Sequence, residues 1–312
     1  MQRIAYFGPQ GTFTEQAARS FTAGDPVDPD GSVRLVPEQT IPLTLAAVRQ
    51  GRADAACVPV ENTVEGVVAA TMDALAVDEP MVATAELLLP IRFSVLVRPG
   101  VKAEHVTTVA SHPHALAQVR DWLAIHLPHA VAVAATSTAA AAAGVSDGAY
   151  DAAVTAPIAT RHYPLDVLAD DIADVPDALT RFLLLRRPGP PAPPTGRDRT
   201  SLVVTAADRT GELASALTEL ALRGINLSFL QARPLKGLLG KYRFHIDLDG
   251  HISEPRIADA LLALRRRSPE VRYLGSFAKA GETAAPPEPD HTAADYRAAG
   301  EWLTAVLRGE DA

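Results

Sequence analysis

Arg3-Ile4-Ala5-Tyr6-Phe7-Gly8-Pro9-Gln10-Gly11-Thr12-Phe13-Thr14-Glu15 opens the chain as an apolar strand, a glycine-bounded turn and a helix start. Thr12 and Glu15 stand three apart, the spacing of a capping box. Gly8 and Gly11 lack the third glycine of a dinucleotide fingerprint, so a plain strand–helix turn and a small-ligand loop are equal alternatives here. The same unit recurs downstream. Strand-like runs fall at 4–7, 55–60, 93–97, 107–110, 130–135, 152–155 and 182–185, with helix-like stretches at 14–21, 40–50, 64–76, 114–127 and 138–145. Such alternation predicts α/β layers with parallel strands. Ligands in such sheets bind where strand C-termini meet the next element.

A break follows at 186–199, where Arg187-Pro188-Gly189-Pro190-Pro191-Ala192-Pro193-Pro194 can continue neither a helix nor a sheet interior. It reads as a semi-rigid linker. Beyond it the order changes to strand 201–206, helix 211–223, strands 225–232 and 242–248, helix 255–266 and strand 271–277. That βαββαβ order is the ferredoxin-like unit, of a size for an accessory domain. A second break at 283–290 precedes a weak apolar stripe at 293–307 (Tyr296, Trp302, Leu303, Val306, Leu307), a helical extension that could dock on the body or on a neighbour.

A formal charge of −8 speaks against a nucleic-acid groove. It leaves room for a small anion, because helix ends and arginines set the local field. Cys57, the sole cysteine, excludes an intrachain disulfide and a cysteine-based zinc site, and it reads as a small buried hydrophobe. No apolar run reaches the ~20 residues that a membrane helix needs, and no secretory leader opens the sequence. The expected location is cytoplasmic.

Five junctions collect polar groups: the Gly8–Glu15 turn; Glu61-Asn62-Thr63; Ser111-His112-Pro113-His114 with Gln118 one to two turns into the helix; Thr136-Ser137-Thr138; and Thr180-Arg181-Phe182. Ser111 is the expected N-cap of its helix, with Pro113 in the first turn. Each junction alone is matched by an ordinary capping role. Together they offer hydroxyls, amides, a carboxylate and a guanidinium, which suits a small polyanion. His112 and His114 lack further clustered ligands, so no metal is expected.

These residues resemble the prephenate dehydratase family. The resemblance rests on Ala5 to Phe13, Val58-Pro59-Val60-Glu61-Asn62-Thr63 with Gly66, Ser111-His112-Pro113 with Gln118, Thr136-Ser137-Thr138-Ala139-Ala140 and Thr180-Arg181-Phe182, in the family's order. The family's fold is two α/β lobes around a cleft, as in periplasmic-type binding proteins. The resemblance implies a catalytic domain at 1–187, with lobe one at about 1–76 and 174–187 and lobe two at about 77–173. It further implies a linker at 188–199, an ACT regulatory domain at 200–278 and an extension at 279–312.

The implied activity is a lyase reaction, prephenate to phenylpyruvate, without cofactor or metal. Thr180 matches the family's essential threonine, a donor to the departing ring hydroxyl, and Phe182 shapes the pocket. Glu61, Asn62, Ser111 and Gln118 match substrate-binding positions; Thr63, Thr136, Ser137, Thr138 and Arg181 follow more loosely. The ACT resemblance implies phenylalanine as effector, held by Gly211, Leu213, Ala214, Asn226, Leu227, Gln231, Arg233 and Pro234, and a homodimer or homotetramer formed through these domains.

Departures are Thr63 for the usual serine, no asparagine just before Thr180, and Gln231-Ala232-Arg233-Pro234 where the family has Glu-Ser-Arg-Pro. The last departure bears on the strength and sign of effector control. A non-catalytic ligand sensor is the competing reading, and arogenate, the amino analogue, is the competing substrate.

Overall fold

The computed structural model describes residues 1–22, 33–207, 209–235, 238–281 and 291–310. The chain divides into two compact units, Met1–Thr71 with Leu87–Leu185, and Met72–Glu86 with Arg186–Ala312.

The first stretch of chain runs β1 (Arg3–Phe7), α1 (Phe13–Thr22), β2 (Arg34–Glu38), α2 (Ile41–Arg49), β3 (Ala55–Asn62), β4 (Gly66–Val67), α3 (Ala69–Ala76) and β5 (Val82–Pro90). It continues with β6 (Ser94–Val97), β7 (Thr108–Ser111), α4 (Pro113–Ala117), α5 (Arg120–His126), β8 (Val131–Ala134), α6 (Thr138–Ser146), β9 (Ala152–Thr155), β10 (Asp166–Ala169) and β11 (Leu179–Arg186). Among the described residues these strands form two sheets, ordered β2-β1-β3-β11-β5 with β4 on β3, and β10-β6-β9-β7-β8. The expected parallel pairing holds for β1 with β2 and β3, and for β7 with β8 and β9. β11 with β3 and β6 with β9 are antiparallel, so both sheets are mixed. In each sheet chain order reverses beside a parallel pair, β1/β3 and β7/β9, which puts a crevice at the C-terminal ends of those strands.

Two helices expected from the sequence are shorter than predicted. The stretch 64–76 is helical only from Ala69, because Asn62 Oδ1 accepts from the N–H groups of Val64 and Glu65 and so closes a turn. Gly66, at φ +80°, then folds β4 back on β3. The stretch 114–127 breaks at Gln118–Val119 into α4 and α5. A new start is available there because the Asp174 carboxylate accepts from the N–H groups of Asp121 and Trp122 at 3.0 and 2.9 Å, an N-cap supplied from far along the chain.

The second unit carries β12 (Asp198–Thr205), α7 (Glu212–Ala221), β13 (Leu227–Leu235), β14 (Leu238–Asp249), α8 (Pro255–Arg267), β15 (Glu270–Ala278) and α9 (Ala293–Leu307). The sheet order β13-β14-β12-β15 is that of the ferredoxin-like fold. Alternation sets its two faces. Leu202, Val204, Ile246 and Leu248 pack with Leu220 of α7 and Ile257 and Leu264 of α8. The intervening Ser201, His245 and Asp247 are buried as well. There the segment 72–86 lies against the arginines: Arg199 reaches Glu86 at 2.7 Å, Arg233 forks onto Asp73 at 3.1 and 3.2 Å, and Arg272 donates to the carbonyl of Asp78. Residues 187–197 are exposed and without regular secondary structure. The proline cluster expected to form a break at 283–290 lies outside the described residues. No helix among the described residues is long and apolar enough to cross a membrane.

Candidate active site

The strand pair β3–β11 builds the centre of the first crevice. Thr180 stands directly opposite Asn62, and Arg181 opposite Glu61, before a bulge shifts Phe182 onto Pro59. Opposed residues of an antiparallel pair share a face. Asn62 Nδ2 accordingly donates to Thr180 Oγ1 at 2.7 Å. The carboxamide is held by its other end, since Oδ1 already accepts the two turn N–H groups of Val64 and Glu65. Thr63 seals the strand end, its N–H donating to Leu179 O and its Oγ1 accepting from Leu179 N at 3.0 Å. Thr180 and Arg181 are buried, Glu61 is half-buried, and Phe182, 2% exposed, belongs to the packed interior.

In the second sheet Ser111 ends β7 and is fully buried, its hydroxyl donating to Val154 O at 2.6 Å. It is not the helix cap. His112 takes that place, with Nδ1 accepting from His114 N at 3.3 Å. Burial, together with the neighbouring His114, holds the His112 imidazole below its ordinary pKa. Gln118 is not inside a long helix either. It caps the C-terminus of the short α4, where its Nε2 donates to Glu65 Oε1 at 3.1 Å. Ser137 caps α6 by accepting from Ala140 N, Thr136 is exposed, and Thr138 is the first helical residue.

The opening turn meets the second sheet's loops. Gly11 lies against Ala159 and Ala139 at ordinary contact distance, and its φ of +84° is the reason glycine suits the turn. Phe13 packs edge-on against Phe93 at 5.3 Å. The predicted capping box is half-formed. Thr12 Oγ1 accepts from Glu15 N, but the Glu15 carboxylate turns to Gly11 N at 2.6 Å, to Arg19 and to His162 Nε2 at 2.8 Å. Burial alone would raise the Glu15 pKa; the Gly11 and Arg19 hydrogen bonds and the charges of His162 and Arg19 outweigh it and lower the pKa. Cys57 is fully buried, with Sγ 3.8 Å from Thr14 O and its thiol pKa pushed up by burial. Among the described residues no group of three or more His, Cys, Asp or Glu side chains could hold a metal.

Of the residues the ACT resemblance implied, Gly211 is the left-handed N-cap of α7 at φ +82°, and Leu213 and Ala214 lie in its first turn. Asn226 Nδ2 donates to Asp249 Oδ2, and Leu227, Gln231, Arg233 and Pro234 all lie on β13. Gln231 is turned onto the carbonyl of Ala232, and the Arg233 guanidinium is occupied by Asp73.

Glu65, Asp73, Glu15 and His162 make contacts to or beside these residues, and sequence reasoning named none of the contacts. Only Glu15 stood in a recognised motif. The other three lie in a turn, a helix interior and a loop, where nothing in residue type or spacing marks them.

Fold and site together define a two-lobed unit of the periplasmic-binding-protein kind, with hydroxyls and carboxamides at its strand ends, followed by an ACT domain. The prephenate dehydratase family model matches residues 4–190 and the ACT model residues 200–266. A prephenate dehydratase of Amycolatopsis methanolica is 62% identical, with all of both chains covered. The structure of a prephenate dehydratase from Arthrobacter aurescens, in complex with L-Phe, superposes with TM-score 0.89 at 42% identity, over 98% of this chain and 99% of that one. A structure described as GqqA, a quorum-quenching acylase, matches with TM-score 0.80 at 29% identity, over 89% of this chain and 99% of the other. The chain belongs to the prephenate dehydratase family.

Proposed function

We propose that this chain converts prephenate to phenylpyruvate at the Asn62–Thr180 pair and that phenylalanine binding to its ACT domain controls the rate. The ring C–O bond breaks and its electron pair leaves with the oxygen, which takes up a proton and departs as water. The bond from the opposite ring carbon to its carboxylate breaks in the opposite sense, leaving its electron pair on the ring. Those electrons complete the aromatic ring, and carbon dioxide is released. Aromatisation supplies the driving force, so the protein's task is to hold a dianion and steady one departing oxygen.

The observation that carries this reading is the 2.7 Å bond from Asn62 Nδ2 to Thr180 Oγ1. A hydroxyl has one proton to donate, and a hydroxyl whose oxygen accepts from an amide keeps that proton for another partner. Threonine is a weak acid, so its part is a hydrogen bond that strengthens as negative charge grows on the leaving oxygen. Glu61 and Gln118 orient the substrate around this donor; Ser111, whose proton goes to Val154 O, supports the site from within together with Thr63, Thr136, Ser137, Thr138, Arg181 and Phe182.

The regulatory reading draws on the ACT domain and on the phenylalanine complex of the Arthrobacter aurescens relative. Gly211, Leu213, Ala214, Asn226, Leu227, Gln231, Arg233 and Pro234 are the candidate effector contacts. β13 is an edge strand of its sheet, and pairing of such edges between copies would give a dimer or tetramer. A buried thiol as the lone cysteine suits the reducing cytoplasm. Purified protein incubated with prephenate should release phenylpyruvate, read by its ultraviolet absorbance, and phenylalanine should change the rate. No product from prephenate, or equal turnover in Thr180→Val, would remove this reading. Acylase activity in its place would align the chain with the GqqA structure instead.

A further inference from the structure

Two carboxylates bridge the sheets of the first unit, and they differ sharply in setting. Glu15 is 1% exposed and receives hydrogen bonds from Gly11 N, Arg19 and His162. Charge-assisted bonds to a buried carboxylate are strong, so this bridge is a fixed clamp. Glu65 stands at the tip of the β3–β4 turn with its side chain 39% exposed. It meets Gln118 Nε2 at 3.1 Å and His114 Nδ1 at 3.4 Å. Exposed contacts of this kind contribute only ~0–1 kcal/mol to stability, so structural need does not account for the arrangement.

Its geometry does. Through its backbone N–H, Glu65 donates to Asn62 Oδ1 at 2.9 Å. That leaves Asn62 Nδ2 facing Thr180. Through its carboxylate it accepts from Gln118 Nε2. A terminal carboxamide torsion is roughly two-fold, so either the oxygen or the nitrogen could face a ligand unless something selects between them. The backbone N–H groups of Val64 and Glu65 make that choice for Asn62, and the Glu65 carboxylate makes it for Gln118, holding the amide nitrogen and not the oxygen on its side. An amide nitrogen carries two hydrogens. With one of its two on Glu65, Gln118 keeps the second for an anionic ligand.

We propose that Glu65 is a positioning residue for the dehydratase reaction, fixing the Gln118 carboxamide so that it offers an N–H, and not its oxygen, to a carboxylate of the substrate. This rests on the reading given under Proposed function. A chain that makes no phenylpyruvate fails that reading, whereas an active chain indifferent to Glu65 fails only this one.

The test is steady-state kinetics on E65A, E65Q, Q118A and E65A/Q118A in the full chain. E65A loses the acceptor, so KM should rise about tenfold while kcat stays within about threefold, as expected for a ground-state contact. E65Q keeps an acceptor oxygen and should stay within about threefold of the native KM. The double variant should be no worse than Q118A alone, because both changes remove one interaction. The proposal is overturned by a native KM in E65A, by equal losses in E65A and E65Q, or by effects that multiply in the double variant. Should E65A fail to fold, E65S replaces it in the same cycle.

Discussion

Thr180 Oγ1 accepts from Asn62 Nδ2 across a directly opposed residue pair of β3 and β11. The rotor of a threonine hydroxyl is otherwise free, so this one bond settles what the group can do. One lone pair of its oxygen is committed to Asn62, and its proton is left to donate.

Thr180→Val keeps the β-branched shape and removes the donor. We expect turnover to fall by about 10²- to 10³-fold, the range for losing one hydrogen-bond donor to a developing negative charge, with the melting temperature little changed. Thr180→Ser should restore much of the rate. Stopped assays on prephenate decide it, and a valine variant within tenfold of native would exclude the donor role.

Asn62→Asp tests the direction of the bond. An aspartate can still accept the N–H groups of Val64 and Glu65, so the turn should survive. Facing Thr180, however, it presents an acceptor in place of a donor and draws the hydroxyl's proton toward itself. It also adds negative charge beside a dianion. The loss in kcat/KM should match or exceed that of Thr180→Val, and the double variant should fall little further. Near-native kinetics in Asn62→Asp would show that the amide does not set the hydroxyl's direction.

Much of this site could be read from the chain, because strand ends announce themselves where apolar runs stop at Glu61, Ser111 or Thr136. The α/β layering and the βαββαβ order followed from the same patterning, whereas the division into two lobes came only with the family resemblance. What escaped was set by distant partners. The break at Gln118 depends on Asp174, and the Glu65 contact depends on a turn that Asn62 closes. β5 was missed although Val82–Pro90 is strand-like, because Glu86 interrupts the run. That glutamate is buried against Arg199, an arrangement no local pattern encodes.

Arg233 is where the implied effector site and the described contacts compete. Its guanidinium forks onto Asp73, both side chains about a quarter exposed. To hold an effector carboxylate, the guanidinium must share or release that partner. Asp73→Asn removes the competing charge, worth ~1–2 kcal/mol for a partly buried bidentate pair. Phenylalanine should then act at about tenfold lower concentration, while the rate without effector stays native. Calorimetric titration alongside the rate assay reads both quantities. An unchanged phenylalanine response would mean that Arg233 serves Asp73 alone.

His245 makes the second unit sensitive to acid. It is 3% exposed on β14, and its Nε2 has no hydrogen-bond partner among the described residues. Burial is the main cause of its low pKa, about 4 against an ordinary 6.5; Arg233 and Arg243 push the same way, and Asp247 and Asp73 oppose them. In the unfolded chain the imidazole binds its proton near 6.5, so between pH 6.5 and 4 the unfolded state holds more protons than the folded one. Stability must therefore fall as pH drops through that window, by about 3 kcal/mol in total if the shift is fully expressed. Above pH 6.5 both states are neutral and this contribution is flat. His245→Gln carries no titrating group, so its stability curve should be flatter over the same window. Amide exchange on peptides from β12 to β15 in the full-length chain, measured at pH 7 and 4.5, isolates the effect from the rest of the molecule once intrinsic exchange rates are corrected. Parallel losses in native and variant chains would assign the acid sensitivity to other groups, whereas a loss confined to the native chain assigns it to the proton that a buried imidazole refuses.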